Sequence, residues 1–279
     1  MIVDVKKIVN EKKLKLKEKI EYLKKDGITP KLVVIFASDD PASEVYVSKK
    51  RNMCKEIGIE EEEFLFDSNV TTDKIISTIN KLNEDPSIHG ILVQLPLYKH
   101  LDENEILESI NPDKDVDGLH SLNLGRLLSN KKGLVSCTPR GIMTILDELD
   151  IDISGKNAVI VGRSVLVGKT IAQLLLNRDA TVTLCHSKTI NLAEHTLKAD
   201  ILVAAVGKAK IITADMVKEG SVVIDVGINR IDGKIIGDVD TIPVSEIAKY
   251  ITPVPGGVGL TTVLSLLENV TEVASKELK

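Results

Sequence analysis

The 279-residue chain has no tryptophan and only 3% aromatic residues, so it offers neither an aromatic surface for stacking bases nor an interfacial belt for a bilayer. Positive charge is not in excess: 36 Lys and Arg stand against 41 Asp and Glu, a formal charge of −5. The counterion-displacing surface of a phosphate-backbone binder is therefore missing, and nucleic acid is not an expected partner. No stretch approaches the ~18 consecutive apolar residues of a spanning helix, and the opening MIVDVKKIVNEKK lacks an apolar signal-type region. No membrane association is expected. Cysteine is sparse: Cys54, Cys137 and Cys185 stand far apart, and an odd number cannot close a disulfide framework. The expected location is a reducing cytoplasm. His89, His100, His120, His186 and His195 are scattered without metal-ligand spacing, so no metal is expected.

What is present is a 43% hydrophobic composition built on aliphatics, arranged in two blocks of alternating strand and helix signals. An amphipathic first helix carries Glu11/Lys15 and Glu21/Lys25 four residues apart. In the first block, strands are expected at 31–37 and 90–97 with a weaker one at EEFLFD, and helices at 42–57, ending at Gly58, and 72–84. Thr138-Pro139 reads as a cap followed by proline at the first helical position, opening a helix to about 149. The second block has strands at 157–162, 180–185, 199–207 and 221–227 separated by helices at 166–177, 190–197 and 213–218, then a hairpin around GKIIGDVD and a last helix at 261–276. Such alternation predicts an α/β protein of two α/β domains, the second a Rossmann-type, doubly wound parallel sheet.

VIVGRSVLVGKTIAQLL is a strand, a glycine turn and a helix, the arrangement that turns free backbone N–H groups toward a pyrophosphate. The spacing Gly162-x-Ser164-x-x-x-Gly168 departs from strict G-x-G-x-x-G, and a tight turn with close helix packing explains the glycines as well. The next strand ends in Cys185-His186-Ser187-Lys188, with no carboxylate to bind a ribose 2′-hydroxyl. Arg163 and Ser187 suit a 2′-phosphate, so NADP is expected over NAD. Cys185 reads as strand interior.

In the first block, Tyr46 and Lys50 are four residues apart on one helix face, a spacing that also arises when an aromatic packs on a lysine stem. Gln94 adds a polar amide at the carboxyl end of an apolar strand, where open α/β sheets bind ligands. Lys50 is expected to be pushed toward its neutral form by burial, and also by the like charges of Lys49 and Arg51 if they point toward it. The run Asp113 to Gly118 imitates the start of a calcium loop, but its twelfth position is Leu124, so its acids read as a turn or substrate clamp. Short-chain dehydrogenases also pair Tyr and Lys at this spacing, but there the glycine turn precedes the pair; here the order is reversed.

Taken together, ASEVYVSKK (42–50), GILVQLPL (90–97), KDVDGLHSLNLGRL (114–127), CTPRG (137–141), GRSVLVGK (162–169), CHSKT (185–189), DVGIN (225–229) and TPVPGGVG (252–259) resemble the bifunctional methylenetetrahydrofolate dehydrogenase/methenyltetrahydrofolate cyclohydrolase family, in order, from about residue 31 to 270. The resemblance implies a folate-binding catalytic domain at 1–138 completed by 261–279, an NADP-binding domain at 139–260, a cleft between them, and a homodimer joined through the NADP domains. It also implies tetrahydrofolate one-carbon derivatives as substrates. It assigns catalysis to Lys50, Gln94, Tyr46 and Asp117, substrate contacts to Tyr46, Asp117, Pro255, Gly256 and Gly257, and cofactor contacts to Thr138, Gly162, Arg163, Ser164, Gly168, Ser187 and Ile228. A catalytically silent NADP-binding scaffold would be favoured by loss of Lys50, Gln94 or Asp117, and all three are present. Tyr98, Thr170, Leu260 and Thr261 depart from the pattern, the first three standing where the family often has proline; at Leu260 and Thr261 the expected consequence is a looser folate-side loop.

Overall fold

A computed structural model describes residues 1–39 and 50–275 of the chain. These fall into two compact units, one of Met1–Asn10 with Thr138–Thr262, the other of the described residues in Glu11–Cys137 and Val263–Lys279. The first ten residues therefore group with the later sheet, a long-range return that no local periodicity encodes. Among the described residues no helix is long and apolar enough to cross a membrane.

The Glu11–Cys137 unit is built on a parallel sheet of β1 (Lys31–Phe36), β2 (Glu60–Leu65) and β3 (Gly90–Gln94), in the order β2-β1-β3. Central β1 is buried from Leu32 to Ile35, as expected of an unbroken aliphatic run in a parallel sheet covered on both faces. Helix α1 (Val5–Lys25) precedes the sheet, and α2 is helical over 50–57, closing at Gly58, whose φ of 91° is the left-handed conformation of a helix stop. The part of that expected helix before residue 50 lies outside the described residues. Helix α3 (Thr72–Glu84) presents Ile75, Ile79 and Leu82 to the core, and the Thr71 hydroxyl caps it by accepting the Lys74 N–H at 3.3 Å. Those side chains pack with Val33, Ile35, Ile91 and Val93, each contributing about 1.5–3 kcal/mol by leaving water.

Beyond β3 come α4 (Glu103–Glu108) and α5 (Ser121–Leu128), with residues 114–116 laid beside the sheet. Ile91 N–H donates to Lys114 O at 2.8 Å, and Ile91 bridges Asp115 in parallel register. Helix α10 (Val258–Ser275) supplies buried Asn269, whose amide donates to Val116 O at 2.8 Å and Val135 O at 3.0 Å.

The second unit holds five parallel strands in the order β10-β7-β6-β4-β5: β4 (Asn157–Val161), β5 (Thr181–Cys185), β6 (Ile201–Ala204), β7 (Val222–Asp225) and β10 (Tyr250–Ile251). Numbered within the unit this is 2-1-3-4-5, a doubly wound order that reverses direction between β4 and β6. Helices α6 (Cys137–Glu148), α7 (Thr170–Leu176), α8 (Leu192–Thr196) and α9 (Thr241–Ile247) accompany it, and β8 (Asn229–Ile231) and β9 (Lys234–Ile236) form the expected antiparallel hairpin. Three local expectations change. Helix α6 begins at Cys137, so Thr138 lies inside the first turn instead of capping it. The 213–218 segment keeps only a short 3-10 turn at Ala214–Met216, too brief for its apolar period to build a helix. Helix α9 forms where no helix was expected, around an internal Pro243 that its first turn tolerates.

Replacing Asn269 by Leu keeps the side-chain volume but takes the amide from Val135 O and leaves Val116 O only the weak Cys137 Sγ–H at 3.2 Å. Urea denaturation is expected to show a loss of about 2–4 kcal/mol, and a loss below about 0.5 kcal/mol would contradict the bridging role.

Candidate active site

Three of the four residues expected to do chemistry converge in the Glu11–Cys137 unit. Lys50 opens the described part of α2, Gln94 ends β3, and Lys50 Nζ donates to Gln94 Oε1 at 2.8 Å. The Gln94 Nε2 donates in turn to Leu95 O at 2.7 Å, which turns the amide oxygen toward the lysine. Because both the ammonium and the neutral amine carry N–H, this contact serves either protonation state. Asp117 lies in the turn that follows the Ile91–Asp115 bridge, a turn closed by Gly118 N–H donating to Asp115 O at 3.0 Å. Gly118 follows at φ 67° with its α-carbon against the Val135–Ser136 backbone, where a side chain has no room.

Burial pushes Lys50 below its ordinary value, while Asp117, Cys137, Cys54 and Glu61 pull it back up. Asp117 is pushed up, chiefly by burial and also by Asp115, against the opposing effects of Lys50 and the Cys137 thiol. Both groups are thus moved toward their neutral forms. Cys54, one turn beyond Lys50, is buried and raised to about 12 by desolvation, which leaves it an inert thiol. The lysine's lowered value comes from burial, as expected, and Arg51, whose guanidinium bonds Glu63 on β2, is not among its causes. Tyr46 and Lys49 lie outside the described residues.

The five-stranded unit gathers the cofactor candidates at the carboxyl ends of its strands. Gly162, after β4, has φ 131°, and a Cβ there would run into the Ala205 carbonyl just beyond β6, at the point where the sheet reverses. A Cβ at Gly168 would strike the Gly162 carbonyl. Both glycines are therefore required by close backbone approach. Ser164 Oγ accepts from Val167 N–H at 3.3 Å and Gly168 N–H at 3.5 Å, opening a π-helical turn at Val165–Lys169 that runs into α7. Arg163, Ser187 and Ile228 are exposed at the ends of β4, β5 and β7, and Ser187 sits in a turn closed by His186 and Thr189. Cys185 is buried strand interior, as expected. This backbone cradle with exposed Arg163 and Ser187 fits a phosphorylated dinucleotide.

Thr138 shares a hydrogen bond with Thr262 at 3.1 Å, and Pro255, Gly256 and Gly257 lie in the loop before α10, Gly256 at φ 95°. These five residues group with the five-stranded unit. Both changed positions of that loop are held by hydrogen bonds. Leu260 donates its N–H to Gly257 O at 3.0 Å, and Thr261 is fully buried with its hydroxyl on Val258 O at 2.9 Å. Tyr98 N–H donates to Ala37 O at 2.9 Å, and Thr170 N–H to Val167 O. At each of these three positions the chain makes a backbone bond that proline cannot make.

Sequence reasoning passed over Asp225 and Asp238. Asp238 accepts the successive N–H groups of Val206, Gly207 and Lys208 at 2.6, 3.0 and 2.8 Å, and Asp225 accepts those of Gly227, Asp238 and Val239. The two carboxylates set the loops beyond β6 and β7. Burial, against these bonds, lifts Asp225 to about 6. The glycines beside them carried the signal, since Gly237 and Gly227 pack on the two carboxylates with no space for a Cβ.

With this geometry in hand, comparison with known proteins is decisive. Residues 3–117 match the tetrahydrofolate dehydrogenase/cyclohydrolase catalytic domain, and 136–278 the NAD(P)-binding domain of the same family. The bifunctional protein FolD of Ligilactobacillus salivarius is 52% identical over 276 residues, covering 99% of this chain and 97% of that one. The crystal structure of FolD from Campylobacter jejuni superposes with a TM-score of 0.98 at 46% identity, covering 99% of both chains. The Trypanosoma brucei enzyme, complexed with NADP cofactor and an inhibitor, superposes with a TM-score of 0.95 at 33% identity over 100% of this chain and 98% of that one. A full-length match of this order, joined to the Lys50–Gln94 contact and the glycine cradle, means that the chain belongs to the tetrahydrofolate dehydrogenase/cyclohydrolase family.

Proposed function

We infer that the protein oxidises 5,10-methylenetetrahydrofolate to the 5,10-methenyl form with NADP⁺ and then hydrolyses that product to 10-formyltetrahydrofolate. The observation that carries this reading is a lysine drawn out of water and held by a neutral amide at 2.8 Å. Adding water to the methenyl carbon and opening the ring requires a group that gives and takes protons near neutral pH, and a lysine lowered by burial is such a group. Gln94 orients the amine without trapping it as ammonium. Asp117 holds the pterin, its raised carboxyl suited to sharing hydrogen bonds with ring nitrogens, and Tyr46 packs on the folate.

The nicotinamide cofactor supplies the hydride acceptor when bound. Around it the chain's own tasks are to bind and align. Gly162, Ser164 and Gly168 would hold the pyrophosphate, Arg163 and Ser187 the 2′-phosphate, with Thr138 and Ile228 completing that site. Pro255, Gly256 and Gly257 would contact the folate. The folate side belongs to 1–138 completed by 261–279 and the NADP side to 139–260.

A homodimer joined through the NADP-binding unit is supported by β5, an edge strand flanked by exposed Leu176, Leu184, Ile190 and Leu197. A reducing cytoplasm suits three buried free thiols.

Two variants test the reading. Arg163→Ala is expected to weaken NADP⁺ binding by tens-fold, the worth of one charge-assisted bond of about 1.5–3 kcal/mol, while NAD⁺ binding changes little. Titration calorimetry with both cofactors checks it, and equal losses would make Arg163 a structural residue. Lys50→Met keeps an apolar stem and deletes the amine. Methenyl hydrolysis above the spontaneous rate should then fall by about 10²–10⁴-fold, with part of the dehydrogenase activity retained. Hydrolysis at the wild-type rate would refute the proton role.

A further inference from the structure

Strand β2 carries four consecutive glutamates, Glu60 to Glu63. Side chains alternate along a strand, and here Glu60 and Glu62 face solvent while Glu61 and Glu63 turn to the half-buried side. Glu62 closes an ion pair with Lys31 at 2.7 Å, and Glu63 is held by Arg51 of α2. Glu61 has no such partner. Both of its carboxylate oxygens are shielded from water, and neither accepts a hydrogen bond among the described residues. An isolated carboxylate in that position is a cost to folding that a neutral side chain would avoid.

Register puts Glu61 and Glu63 on the same face of the sheet as Gln94, since Glu61 pairs Leu32, Glu63 pairs Val34 and Gln94 pairs Phe36, and the Glu63–Arg51 contact brings α2, where Lys50 and Cys54 stand one turn apart, to that face. We propose that Glu61 is a positioning residue for the hydrolytic step, its buried carboxylate, when charged, helping Lys50 hold its proton. This rests on the proton role inferred for Lys50 above.

The charges around the pair support the assignment. Lys50 is faced by Gln94 from β3, Asp117 from the following loop, Cys137 from α6, Cys54 from its own helix and Glu61 from β2. Glu61 is faced by Lys50, Arg51 and Cys54 from α2 and by Glu63 from its own strand. With the thiols neutral, Asp117 and Glu61 are the two negative charges that steady the ammonium. Asp117 is assigned to the pterin, so its charge is engaged once substrate binds, and Glu61 is then the counter-charge left to the lysine. Burial, helped by Glu63 and opposed by Arg51 and Lys50, raises Glu61 to about 7, so its own charge changes near neutral pH and the two groups titrate together.

The test is the pH dependence of kcat for methenyltetrahydrofolate hydrolysis, corrected for the spontaneous rate, in wild type, Glu61→Gln and Glu61→Asp. Without the negative charge the ammonium loses support and the amine appears at lower pH. The midpoint of the acidic limb is therefore expected to move down by about half a pH unit in Glu61→Gln and to return toward wild type in Glu61→Asp. Should Glu61→Gln not fold, Glu61→Met, which fills the site with an apolar chain, is expected to show the same downward move. If Glu61 is only a structural liability, either folded neutral variant raises Tm and leaves the midpoint unmoved, and that result, or an upward move, overturns the proposal. Hydrolysis surviving in Lys50→Met overturns the lysine's role, and this one with it, whereas a Lys50→Met loss alongside an unmoved Glu61→Gln midpoint removes Glu61 alone.

Discussion

A lysine that is to pass protons near neutral pH must leave water without meeting a full ion pair. Two unit charges at 4 Å attract by about 4 kcal/mol at the effective dielectric of a protein, or roughly three pK units, which would hold an amine as ammonium throughout the useful range. In this protein the direct contact to Lys50 at 2.8 Å is the neutral Gln94 amide. Asp117, itself raised by burial, acts on the lysine without a direct ion pair, and burial prevails. That balance between desolvation and incompletely charged partners is what the surrounding structure maintains.

Parallel strands do the maintaining. Buried along its length, β3 presents its one polar side chain, Gln94, at its carboxyl end. The segment bridged to β3 at Asp115 leads into the turn that carries Asp117, and Asn269 ties that segment to α10 through the Val116 and Val135 carbonyls. In the five-stranded unit the same rule puts Gly162 against the Ala205 carbonyl where the sheet reverses, with Asp225 and Asp238 fastening the neighbouring loops.

Much of this was legible in the sequence because it depended on local chemistry. Periodicity located α3, the unbroken aliphatic run located β1, and glycine spacing located the cradle after β4. What escaped depended on distant partners. Nothing local tells that residues 1–10 join the later sheet, that Arg51 turns to Glu63, or that Asp238 gathers three successive N–H groups. Losing proline frees φ, and from the sequence alone that reads as looseness. The backbone N–H groups restored at Tyr98, Thr170 and Leu260 are each hydrogen-bonded, a gain that appears only when the acceptor is known. Glu61 was hidden among four glutamates whose fates are decided by which face of β2 each occupies.

The proton affinity of Lys50 is the quantity on which the account stands, and it can be read without turnover. Protein with isotopically labelled lysine side chains can be titrated by NMR, with the Lys50 signal assigned by its disappearance in Lys50→Met. One lysine is expected to titrate well below the main group. If the Lys50 signal titrates together with the exposed lysines, near the ordinary value of about 10.4, burial does not govern the site and the proposed proton role is contradicted.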